Sequence, residues 1–132
     1  PSKERMNEDV FLTKCDNRCK YLYNCLKELS KSPEFMDSSF SKHGFCFRYR
    51  DKGNMFVLYP NYLEMWFGSG YNSPFDAETD KKFWALLSQI KAIKDKMDRK
   101  NPVMQVNEQA WSEADVDTFV DAIKICAAKP ME

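Results

Sequence analysis

The spacing of apolar residues changes several times along this chain, and each change marks out an element. Over residues 7–31, Leu12, Cys15, Cys19, Leu22, Leu26 and Leu29 recur at steps of three and four, which gathers them on one face of a helix. Asn7 stands at the N-cap position, and Glu8 and Asp9 fall in the first turn, where the helix dipole favours acids. Met6 and Phe11 take the two hydrophobic-staple positions. Ser32-Pro33 closes the helix, because the residue before a proline is driven out of the helical region.

Residues 34–43 are a Ser-rich connection, read as irregular. The period then becomes two. Residues 44–50 alternate as a strand, residues 51–54 turn with Gly53 free to take a positive φ, and residues 55–59 form a second strand. Pro60-Asn61 turns again and residues 62–67 form a third strand, which gives an antiparallel meander. A second helix is predicted to run to about Arg99, with Ser73 as its cap, Pro74 in its first position and Asp76 in its third. Its stripe is Phe83, Leu86, Ile90, Ile93 and Met97. Asn101-Pro102 breaks it, and residues 103–106 are a short strand. Ser112 and Asp115 form a capping box, with Trp111 and Val116 at the staple positions, and open a last helix whose apolar face is Val116, Phe119, Val120 and Ile123. The chain ends soon after, near Pro130. The order αβββαβα predicts an α+β fold in one domain over residues 1–132: a three-stranded antiparallel meander plus a short fourth strand, packed with three helices.

Charge narrows the function. Twenty Lys and Arg balance twenty Asp and Glu, so no overall field draws the chain to nucleic acid or anionic lipid. No apolar run approaches the about 18 residues that a membrane-spanning helix needs, so no membrane partner is expected. The charged opening, Pro1 to Asp9, holds no signal-peptide core. The expected compartment is the cytoplasm, with five reduced cysteines.

Three of those cysteines fall in Cys15-Asp-Asn-Arg-Cys19-Lys-Tyr-Leu-Tyr-Asn-Cys25. The Cys-x3-Cys-x2-Cys spacing of iron–sulfur radical enzymes would need a third cysteine where Leu22 stands. A zinc site would need four thiolate or imidazole ligands, and the single histidine, His43, lies beyond the helix. Cys15 and Cys19 instead continue the leucine stripe, so they are expected in the core, reduced and metal-free, with no cofactor.

A three-residue turn at 51–53 and a two-residue turn at 60–61 would place Phe45, Phe47, Tyr49, Met55, Val57, Tyr59, Tyr62, Glu64 and Trp66 on one face of the meander. Cys46, Arg48, Arg50, Phe56, Leu58, Leu63, Met65 and Phe67 would share the other; a slip of one residue would redistribute both sets. Both faces are largely apolar, so helices are expected over parts of each. The first face carries phenols, an indole and one acid, the groups a recognition site uses. Its candidate ligand-binding residues are Tyr49, Tyr59, Tyr62, Glu64 and Trp66.

The leading expectation is therefore a small intracellular, non-catalytic binding or interaction module, whose aromatic sheet face meets a protein or small-molecule ligand. One alternative is a nucleic-acid-binding domain using Arg48, Arg50, Lys94, Lys96, Arg99 and Lys100. Residues 81–100 hold seven Lys or Arg against two Asp, although Lys91–Asp95 and Asp95–Arg99 also suit a solvated face. The acidic last helix (Glu113, Asp115, Asp117, Asp121) argues against a wholly basic surface. The other alternative is a small enzyme centred on Glu64 and the neighbouring tyrosines. Catalysis finds little else: a His43–Cys46 dyad is the one nucleophile–base pairing, and Gly68-Ser-Gly70 lacks the Lys-Ser/Thr of a phosphate loop.

Overall fold

A computed structural model describes residues 6–127; the first residues of the charged opening and the chain end near Pro130 lie outside them. The chain is an α+β fold, with five α-helices on a five-stranded antiparallel sheet among the described residues.

The first predicted helix is two. α1 runs Glu8–Lys14 and α2 Asn17–Leu29. Asn7 caps α1 as expected, its Oδ1 accepting from the Val10 N–H at 2.9 Å. The break falls at Cys15, which is extended, because Asp16 caps a fresh helix: its Oδ1 accepts from the N–H groups of Arg18 (2.9 Å) and Cys19 (3.1 Å). The inward stripe survives from Cys15 onward, with Cys15, Cys19, Leu22, Leu26 and Leu29 all buried, but in α1 Phe11 is buried and Leu12 is only half-buried.

The connection read as irregular contains a strand, β1 (Ser39–Phe40), which pairs with β2 (Phe45–Arg48). β3 (Asn54–Tyr59) and β4 (Tyr62–Met65) complete the meander, and β5 (Val103–Gln105) adds at β4. Strand order in the sheet follows chain order.

The helix expected to reach Arg99 ends at Leu87. α3 is Ala77–Leu87, and its cap is Asp76 rather than Ser73: the Asp76 carboxylate accepts from the Thr79 N–H at 2.8 Å. At its end the Ser88 hydroxyl donates to the Ala85 carbonyl (2.6 Å). Ile90 is extended, and a single turn, α4 (Lys91–Lys94), follows. This kink buries Ile90 and Ile93 fully while leaving Leu86 and Met97 only half-buried. α5 (Glu113–Ala127) opens on the expected capping box: Ser112 N–H donates to Asp115 (2.9 Å), and Asp115 N–H to Ser112 Oγ (3.1 Å).

Helices cover one face of the sheet, not parts of both. Phe45, Phe47, Phe56, Leu58, Leu63, Met65 and Met104 point into a core closed by α2, α3 and α5. Aromatic contacts carry the packing: Phe56 meets Phe119 of α5 at 5.3 Å, Phe45 meets Tyr23 of α2 at 5.3 Å, and Phe67 meets Phe83 of α3 at 5.7 Å. Asp80 is the one buried acid or base among the described residues. It accepts from Trp84 Nε1 (3.1 Å) and from the Gly70 N–H (2.9 Å), pinning the loop after β4 to α3. Among the described residues no helix is long and apolar enough to cross a membrane.

Candidate functional site: the open face of the sheet

The two turns of the meander decide what the uncovered face carries. Pro60-Asn61 is the expected two-residue turn, so Tyr59 sits opposite Tyr62, and Val57 opposite Glu64. The β2–β3 turn is longer than expected. A 3-10 turn over Arg50–Lys52 makes Arg48 the partner of Asn54, and Met55 bulges out of register. Pairing therefore slips by one residue: Phe45 faces Leu58, and Cys46 faces Val57. Phe45 and Phe47 consequently leave the aromatic face and join the core, while Cys46 and Arg48 take their places.

The open face thus presents rows across the sheet. One is Ser39, Cys46, Val57, Glu64 and Val103; the next is Gly44, Tyr59, Tyr62 and Gln105. Gly44 is needed where it stands, because a Cβ there would collide with the Leu58 carbonyl oxygen and press on the Tyr59 ring. From that position Tyr59 reaches diagonally to donate its hydroxyl to Glu64 Oε1 at 2.6 Å. Burial, followed by this bond to a carboxylate, pushes the Tyr59 phenol up to about 12, so it is a neutral donor at ordinary pH. Cys46 and Val57 lie low on the face and are buried. Tyr62 (45% exposed), Trp66 (46%) and Val103 (43%) stand proud of it.

Of the five candidate binding residues, Tyr59, Tyr62, Glu64 and Trp66 share this face; Tyr49 does not. The slip turns Tyr49 inward, where it is buried, packs on Phe35 and donates its hydroxyl to the Ala127 carbonyl. Its pKa is raised by burial.

The surface is shallow. Trp66 borders a depression of about 590 Å³ with Arg48, Arg50, Asp37, Asp51 and Asn54. Tyr62 borders another, of about 380 Å³, between β5 and α4. Glu64 lines neither. The candidate phosphate-contacting residues are divided: Arg48 and Arg50 lie by Trp66, Lys96 lies in the second depression, and Lys100 covers the Tyr71 ring at 5.4 Å. Arg50 is further occupied by Glu34 (3.9 Å) and the Ala127 carbonyl.

The cysteines belong to the core. Cys19 is fully buried and Cys15 nearly so. The Asn61 N–H donates to Cys19 Sγ at 3.3 Å. The nearby Cys19 thiol holds the Cys15 thiol below its usual pKa, while Cys15 and burial push that of Cys19 up. Among the described residues no three His, Cys, Asp or Glu side chains gather as a metal-ligand set. His43 is exposed in the β1–β2 turn, and no hydrogen bond joins it to Cys46.

Asp16, which alternation does not single out, and the turn residue Asn61 form a structural hub. Asn61 takes φ 68° in the β3–β4 turn, accepts from the Asp16 N–H (2.8 Å) and donates to the Lys14 carbonyl (3.0 Å). Asp16 Oδ2 accepts from the Glu108 N–H (2.9 Å). A turn asparagine and a mid-helix aspartate were the visible signals. Comparison of the chain with protein-family models, with curated proteins and with solved structures finds no match.

Proposed function

We propose that this protein is a non-catalytic interaction module and that its open sheet face docks against another protein. The observation that carries this reading is the exposure of Trp66 and Tyr62, each near half, on the one sheet face that bears no helix. Large aromatics left in water on a rigid strand surface supply contact area at little ordering cost, and such residues dominate interface energetics. The surrounding polar groups suit a rim. Arg48 is held by Asn54 (Nε to Oδ1, 3.0 Å), and Glu64 is held by Tyr59, so both charges are oriented before a partner arrives. A flat face with no cavity around Glu64 favours a protein surface over a small ligand or a substrate. Five free thiols suit a reducing compartment such as the cytoplasm.

Trp66→Ala tests the reading. It removes a side chain that is about half in water, so the fold should stay intact at a cost of about 1 kcal/mol. Binding to a partner captured by a photo-crosslinker placed at Asp37, beside Trp66, should weaken by roughly 2 kcal/mol. A partner indifferent to both Trp66→Ala and Tyr62→Ala would remove the open face from consideration.

A further inference from the structure

The sheet ends at β5, and that end is unfinished. Met65 N–H donates to the Pro102 carbonyl (2.8 Å), and Val106 N–H donates to the Asn61 carbonyl (2.9 Å). In an antiparallel ladder the backbone groups of alternate residues point to opposite sides. Pro102, Met104 and Val106 therefore face β4, while the N–H and C=O groups of Val103 and Gln105 face away from it. None of those four groups has a hydrogen-bond partner among the described residues. The opposite edge of the sheet, β1, is only two residues long.

An open space lies beside β5. It is the depression of about 380 Å³ between β5 and α4, lined by Tyr62, Ala92, Met104 and Ala110 together with one cation, Lys96, and one acid, Asp95. The segment that flanks it is basic overall. Residues 91–100 contain five Lys or Arg and two Asp. Asp95 is already held by Lys91 at 3.1 Å. No acid lies within ion-pair distance of Lys94, Lys96, Arg99 or Lys100 among the described residues. β5 itself carries no charge that would repel a new strand.

From these observations we infer that the free edge of β5 accepts an extended, acidic segment of a partner protein as a sixth strand. The backbone groups of Val103 and Gln105 supply the ladder, and Lys96, beside an Asp95 already paired with Lys91, selects for acid. The same lysines disfavour a second copy of this chain, because pairing two β5 edges would bring two cationic segments together. The edge adjoins the open face at Tyr62, which lines this depression, but Trp66 does not line it.

The test uses the full chain, isotopically labelled, and a capped peptide of alternating glutamate and valine. Adding the peptide should slow hydrogen exchange of the Val103 and Gln105 amides. An equally charged peptide, N-methylated on the backbone groups that would join the ladder, should bind about tenfold weaker or worse, since each lost hydrogen bond is worth about that factor. Gln105→Pro deletes an outward donor that β4 does not use, a change edge strands tolerate, and should weaken the unmethylated peptide to a similar degree. Lys96→Glu should weaken it further at low salt than at high salt. Trp66→Ala should leave this binding unchanged, so that failure of the open-face reading and failure of this one are told apart. The proposal is overturned if both peptides bind equally, if neither binds, or if saturation leaves the Val103 and Gln105 amides unprotected. It is equally overturned if those amides become protected with rising protein concentration alone, which would assign the edge to self-pairing.

Discussion

Asp16 shows how one carboxylate can redirect a chain. Its pKa is pushed up by burial, but hydrogen bonds from the N–H groups of Glu108, Cys19 and Arg18 outweigh that and hold it below the ordinary 3.8. Asp16→Ala removes a helix cap and a tether to residue 108, and should cost about 1–2 kcal/mol in urea denaturation. Between the lowered native pKa and 3.8 the unfolded chain binds a proton that the native chain does not. Its stabilisation is therefore full above about pH 4 and lost as pH falls through the native value. Asp16→Asn keeps an acceptor without that titration, so the stability gap between parent and variant should be wider at pH 7 than at pH 3. The inward role of Cys15 and Cys19 was legible because the leucine stripe continues through them. Asp16 was not, because two of its partners, Asn61 and Glu108, are remote in sequence.

The elements repeat that division between local and distant causes. The caps at Asn7 and Ser112 were readable, since each is satisfied within its own first turn. The breaks at Cys15 and Ser88 were not, because periodicity continues across them. The kink after α3 even serves that periodicity, turning Ile90 inward from an extended backbone. Leu22 and Ile90 are both fully buried, and truncating either to alanine should cost about 2–5 kcal/mol by thermal or urea unfolding. A loss under about 1 kcal/mol at either site would mean that the core collapses into the space. In the meander the β3–β4 pairing was legible from its two-residue turn, and with it the shared face of Tyr59, Tyr62, Glu64 and Trp66. The β2–β3 pairing depended on a 3-10 turn and a bulge at Met55, neither of which alternation reveals.

At the scale of the molecule, two layers met by one sheet face leave the other face to water, and alternation alone could not foresee which strands would put aromatics there. Cys46 and Val57 are apolar yet lie outside the core cluster, buried among the longer side chains of the open face. Their presence made both faces look fit for helices. The hub at Asn61 carries a different consequence, one of timing. Its bond to the Asp16 N–H spans 45 residues, and the neighbouring Asp16–Glu108 bond spans 92. Closing such loops costs entropy that a nascent hairpin or an isolated helical turn does not face. The latch should therefore fasten after the main barrier, once sheet and helices have already met. Asn61→Gly keeps the positive φ of the turn while deleting both side-chain bonds. In stopped-flow measurements it should accelerate unfolding and leave the refolding rate nearly untouched, placing this latch among the last contacts to form and the first to let go.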